Sequence, residues 1–264
     1  MAAISAKDVQ GLRQSTGVGM LDAKRALEEN GGDVEAATRW LREKGLSDKA
    51  KRQDRSALQG AVAIGGDSEV AGLVLLRCET DFVAKSDEFV PLCQELADLV
   101  ASKGEGAVAD LTAEIDRLSQ TLKENISVGE VVRLAAGSGA TIGTYLHRQA
   151  GRGVNAVAVI LSGGDESLAH DVAVHIAFAK PAYLRREDVP EQEVASERAT
   201  VEAISRNEGK PEAAMEKIVE GRMNGWFKER ILLEQAYAKD EKKTVSSLLG
   251  AAEVLQFAQV LVAS

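Results

Sequence analysis

Two cysteines and three histidines are the side chains of this sequence with obvious nucleophilic or metal-ligating chemistry, and their spacing argues against most of it. Cys78 and His147 have the types of a thiol nucleophile and its base, but nothing in the sequence brings them together, and a buried thiol is the commoner role. His170 and His175 stand five positions apart, roughly 140° around a helix, whereas a zinc pair needs i and i+4. One is expected to be packed and the other exposed. Gly151-Arg152-Gly153-x-x-Ala156 matches a dinucleotide fingerprint by letters, but it precedes a strand, so a phosphate there would meet no helix N-terminus. Gly209-Lys210 is followed by Pro211 and cannot be a P-loop. No catalytic residue, no metal site and no cofactor is therefore expected, and the chain is read as a protein that is not an enzyme.

The residues best placed to act do so without covalent chemistry. In R-C-E-T-D-F-V-A-K-S-D-E-F, residues 77–89, the segment Thr80-Asp81-Phe82-Val83 connects an apolar run at 71–76 that reads as a buried strand to a helical pattern from Asp87. A carboxylate beside a phenylalanine on such a loop tip is a probe for another protein. The alternative is that Phe82 tucks under its own helix.

Several elements must position this tip. Residues 1–45 read as three short helices, with Ser5 and Asp8 starting the first and Val9 and Leu12 on its apolar face. Gly17 and Gly19 interrupt, Met20, Ala23 and Leu27 mark the second, and Asp33 caps a third that carries Ala37, Trp40 and Leu41. Residues 46–55 are a charge-dense linker. Strands are expected at 57–64 and 70–78 around a turn at 65–68, then a helix at 87–102, with a further helix at 111–122 and a short strand at 131–134. The same grammar returns as strands at 141–147 and 154–161 around a turn at 151–153, followed by a helix at 166–179. This suggests an internal duplication. The expected class is α+β: a duplicated core with antiparallel sheets, divided as 56–140 and 141–264. The second part includes an antiparallel helical hairpin at 190–226, with Val194, Val201 and Ile204 facing Met215, Ile218 and Val219, and a C-terminal helical module at 243–264.

Bulk properties bound the function. The 264 residues are 45% hydrophobic and only 4% aromatic, so the core must be largely aliphatic. A formal charge of -9 argues against wrapping nucleic acid, which needs clustered Lys and Arg, and favours a protein partner. Cys78 and Cys93 read as buried thiols in a reducing compartment. Residues 1–5 lack the features of a signal peptide, and no apolar run reaches about 18 residues, so a soluble cytoplasmic chain without membrane contact is expected.

The segment T-D-F-V-A-K closely resembles the signature of the elongation factor Ts family. Leu12-Arg13-x-x-Thr16-Gly17-x-Gly19-Met20-x-Asp22-x-Lys24-x-Ala26-Leu27 resembles its opening motif, and Val219-Glu220-Gly221-Arg222-Met223 its late one. The resemblance implies a guanine nucleotide exchange factor for elongation factor Tu in translation elongation, with a ubiquitin-associated-like bundle as its N-terminal domain. Thr80, Asp81, Phe82 and Val83 would enter the GTPase near its magnesium and displace the support of that ion, promoting GDP release. Met20, Leu21 and Lys24 would dock the N-terminal domain, although Met20 reads equally well as core. Leu122 and His147 would reach the partner elsewhere. A dimer or a 2:2 assembly with the partner stays open. This chain departs from the family in having Lys123 where a glycine is usual, and in the hairpin loop after His147, which reads as longer. Two rival readings remain. A ubiquitin-binding adaptor is disfavoured because Gly19-Met20 reverses the usual Met-Gly order and lacks the aromatic, and an α+β enzyme because it has no site.

Overall fold

The computed structural model describes residues 4–44 and 55–262, so the linker expected at 46–55 lies outside the described residues except for Arg55. Three helices come first: α1 (Ala6–Thr16), α2 (Met20–Glu29) and α3 (Val34–Glu43). Ser5 starts α1 with a capping box, its hydroxyl accepting from Asp8 N at 3.2 Å while the Asp8 carboxylate accepts from Ser5 N at 3.1 Å. Asp33 caps α3 by accepting from Glu35 N and Ala36 N at 2.9 and 3.0 Å. Val9, Leu12, Val18, Ala23, Ala26, Leu27, Ala37 and Leu41 close over one another as the core of this bundle.

The remainder is built on two antiparallel sheets. The first contains β1 (Gln59–Gly66), β2 (Val70–Cys78) and β3 (Ser127–Ala135) in that spatial order. Between β2 and β3 the chain forms α4 (Asp81–Ala84), α5 (Phe89–Lys103) and α6 (Thr112–Leu122). The second sheet begins with β4 (Ala140–Gln149) and β5 (Arg152–Ser162), followed by α7 (Glu166–Ala179). Two longer helices, α8 (Glu191–Asn207) and α9 (Met215–Arg230), precede a small ribbon of β6 (Ala236–Tyr237) and β7 (Asp240–Thr244). The short helix α10 (Val245–Leu249) leads to β8 (Glu253–Leu261), which returns to pair with β5. Each sheet is thus a hairpin whose second strand also pairs with a later third strand, with one helix laid across the hairpin.

Alternation along the strands explains the packing. Val62, Leu73, Leu75 and Leu134 from the first sheet meet Ile142, Ala156, Ala158, Ile160 and Val260 from the second, so the sheets face each other. The opposite faces meet helices. Ala61, Ala63, Val74 and Leu76 lie under α5, and Val157, Val159 and Leu161 under α7. Both faces of β2 and β5 are covered, which is why these strands read as continuous apolar runs rather than alternating ones. Glycines let the helices approach. A Cβ on Gly72 would lie 2.5 Å from Ala97 O, and one on Gly143 2.2 Å from the Ala169 carbonyl carbon.

Several expectations change. The C-terminal segment contains β8, a full partner in the second sheet, where a helical module was expected; only Val245–Leu249 is helical there. The hairpin after His147 is tight: the strands run to Gln149 and from Arg152, and Ala150 (φ 51°) and Gly151 (φ 82°) form a two-residue left-handed turn, with a register shift at His147/Arg148. Finally, α9 extends to Arg230, past the expected end at 226. Along its partner α8, Ser205 rather than Ile204 is buried, its hydroxyl donating to Val201 O at 2.8 Å.

Candidate partner-binding tip

Thr80-Asp81-Phe82-Val83 is a capped turn of helix where a loop was expected. Thr80, in extended conformation, is the N-cap of α4, and its hydroxyl accepts from Val83 N at 3.3 Å. Ala84 N donates to Thr80 O at 3.2 Å and Ser86 N to Val83 O at 3.0 Å, closing the turn. One face of it is anchored, because Ala84 is fully buried in the first core and Val83 packs against that core. The other face carries Phe82, which is 75% exposed. Phe82 does not tuck under its helix.

The exposed face is ordered by Lys85. Its ammonium donates to Asp81 Oδ2 at 2.9 Å and lies 4.9 Å from the centre of the Phe82 ring. That hydrogen bond holds the Asp81 carboxyl below its ordinary range, so the tip presents an anion and an aromatic ring side by side.

A second layer lies behind the cap. Glu124, just beyond α6, accepts from Thr80 Oγ1 at 2.5 Å through one carboxylate oxygen, and from Glu79 N and Thr80 N at 3.0 and 3.1 Å through the other. The Glu79 carboxylate in turn accepts from Asn125 N at 2.7 Å. Lys123 turns the chain there with φ 59°, a left-handed conformation that glycine adopts more readily than a residue with a side chain. Sequence reasoning missed Glu124. The only available signal was the departure at Lys123 beside it.

The other predicted site residues occupy three places. Met20 and Leu21 start α2 and are 53% and 83% exposed, so Met20 is not core; Lys24 on the same helix pairs with Glu28 at 3.6 Å. Leu122 is half-buried at the end of α6, packed against the first core and two residues from the Glu124 clasp. His147 is exposed on β4, its Nδ1 3.4 Å from Tyr145 Oη. The β4–β5 end is tied to the strand beside the tip, since Arg152 donates to Gly60 O at 2.6 Å and to Gln59 Oε1 at 3.1 Å, and Gln59 pairs with Cys78. The hairpin that carries His147 and the tip therefore share one end of the core. The structure does not join the N-terminal bundle residues to that end by any described bond.

The residues with covalent chemistry are occupied structurally. Burial pushes the Cys78 thiol up to about 12, and Cys78 Sγ donates to Thr80 O at 3.2 Å. Cys93 is buried and free, with its thiol also pushed up by burial. His175 is buried with Nε2 3.0 Å from Gln235 Oε1 and Nδ1 accepting from Ala238 N at 3.2 Å, while His170 is exposed. Among the described residues no three His, Cys, Asp or Glu side chains cluster to hold a metal, and no helix is long and apolar enough to cross a membrane.

Comparison with known proteins agrees with the motifs. Residues 79–263 match the family model described as "Elongation factor TS". The chain is 45% identical over 266 residues to "Elongation factor Ts" of Kineococcus radiotolerans, covering 96% of each protein. It is likewise 45% identical over 260 residues to the protein of that name from Leifsonia xyli subsp. xyli, covering 94% of each. The chain belongs to the elongation factor Ts family. The matched family region opens at Glu79, where the clasp behind the tip begins, and the 96% coverage in the first relative leaves no room to omit the whole N-terminal bundle. A member of this family is a translation elongation factor, and the tip is accordingly the candidate site for contact with another protein.

Proposed function

We propose that this chain is the guanine nucleotide exchange factor for elongation factor Tu, acting by differential binding and not as a catalyst with an active site. The observation that carries this reading is the Phe82 ring, solvent-exposed on a turn of helix whose opposite face is locked into the core. A rigid aromatic on a braced mount can exert steric force on a partner. The neighbouring Asp81 carboxylate can compete for hydrogen bonds around a metal shell. Entering the GTPase near its magnesium, Phe82 would wedge between helices, and the cation that neutralises the β-phosphate would lose its support. GDP affinity would fall as a result. Thr80 and Val83 hold the tip; Met20, Leu21 and Lys24 dock the N-terminal bundle, read as ubiquitin-associated-like; Leu122 and His147 supply outlying contacts. The domain division at 45, 55 and 140 belongs to the same reading, as do a cytoplasmic location and a dimer or a 2:2 assembly with the partner.

Exchange by differential binding has a thermodynamic signature. If the factor weakens GDP binding by some ratio, GDP weakens factor binding by the same ratio, on the order of 5–150-fold for ordinary couplings. Substoichiometric amounts of the chain should accelerate release of a fluorescent GDP analogue from elongation factor Tu, and saturating GDP should weaken the complex by the ratio measured for the nucleotide. Equal affinity of the chain for GDP-bound and nucleotide-free partner would refute the reading.

A further inference from the structure

Glu124 belongs to none of the motifs, yet its carboxylate makes three hydrogen bonds to the residues that launch the tip. We propose that Glu124 is a positioning residue for nucleotide exchange: it sets the direction in which Phe82 and Asp81 project by fixing the cap of α4. This inference rests on the exchange reading.

Helix α4 is a single turn of four residues, too short to persist on its own propensity because helix nucleation is unfavourable. Its geometry is inherited from Thr80, which supplies both the hydroxyl that accepts from Val83 N and the carbonyl that accepts from Ala84 N. The rotamer of Thr80 is set in turn by Glu124 Oε1 at 2.5 Å, and its backbone by Oε2, which receives Glu79 N and Thr80 N. These are charge-assisted bonds, stronger and more directional than neutral ones. Glu124 is itself held. Its carbonyl accepts from Ser119 Oγ at 2.6 Å, and the next amide, Asn125 N, donates to the Glu79 carboxylate at 2.7 Å. The result is a reciprocal clasp in which the carboxylate of each segment receives the backbone of the other.

The donors at Thr80 lie near the surface, so water can replace Glu124 when it is lost. The core beneath, with Ala84 fully buried, does not depend on the clasp. Removal of Glu124 should therefore loosen the aim of the tip, a cost felt on binding, while the fold remains.

The test is a cycle of variants read by stopped-flow release of a fluorescent GDP analogue from elongation factor Tu, with urea unfolding of each variant alongside. Glu124→Ala is expected to lower the second-order rate constant for release about tenfold at an unchanged urea midpoint. In a Phe82→Ala background the same change should alter release less than about twofold, because the group being aimed is gone. A merely structural loss would carry through both backgrounds. Thr80→Val removes the hydroxyl that meets Glu124 together with the cap to Val83 N, and should lower release at least as far as Glu124→Ala. Native release by Glu124→Ala, or the same fractional loss with and without Phe82, overturns the proposal. Absence of acceleration by the native chain overturns the exchange reading instead.

Discussion

Phe82, Lys85 and Asp81 form a unit before any partner arrives, with the ammonium bonded to one and lying over the other. Lys85→Ala should return the Asp81 carboxyl toward the ordinary carboxylate range, measurable by carboxyl NMR titration, since the hydrogen bond from Lys85 is the main cause of its depression. Lys123 stands in left-handed conformation without being glycine, so Lys123→Gly is expected to raise stability by up to about 1 kcal/mol in urea unfolding, the relief of strain being partly offset by the freer unfolded chain. His175 supplies a pH dependence. Burial depresses its folded value below the 6.5 of an exposed imidazole, so the unfolded state binds more protons once the pH falls under about 6.5. Its contribution to stability is present above that pH and is lost as pH falls toward the folded value. A protonated Nδ1 could no longer accept from Ala238 N. His175→Gln should flatten the slope of stability against pH below about 6.5, and an unchanged slope would assign that dependence to other groups.

At the scale of elements, what could be read from the chain depended on whether local signals agreed with tertiary ones. The bundle helices were legible because caps and apolar spacing coincide at Ser5, Asp33, Leu12, Leu27 and Leu41. Helix α7 begins where Asp165 accepts from Leu168 N at 2.8 Å, a boundary any propensity argument finds. By contrast, β8 was invisible. Its residues Val254, Phe257 and Val260 are spaced by threes, which hides a strand whose register shifts at Ile160/Leu161, and its partner β5 lies far back in the chain. The tip was legible as a site but not as a helix, because its cap is completed by Glu124, forty-four residues away. Helix-on-sheet packing in both halves depends on a strand glycine. Gly143→Val should lower stability by about 3 kcal/mol or more in urea unfolding, since even the first carbon of a side chain would meet the Ala169 backbone. Gly221→Ala in α9, where an added Cβ would meet open space, is the control and should be neutral or stabilising.

For the whole molecule, the two sheets enclose a shared aliphatic core, and each carries its own helix on the outer face. That arrangement gives the tip a stiff support: β2 delivers it, the first core anchors Val83 and Ala84, and Arg152 ties the neighbouring hairpin end to β1. Apolar burial of this kind contributes roughly 1.5–3 kcal/mol for each large side chain, far more than the surface ion pairs that decorate α8 and α9. The division of labour follows. The core resists deformation, so on the proposed reading force applied at Phe82 would be delivered to the partner and not absorbed within this chain. The central claim is tested most directly by stopped-flow release of a fluorescent GDP analogue from elongation factor Tu, with the native chain and Phe82→Ala compared at matched concentrations. The account predicts that Phe82→Ala retains the native urea midpoint and loses at least about tenfold in release rate; native release by Phe82→Ala would contradict it.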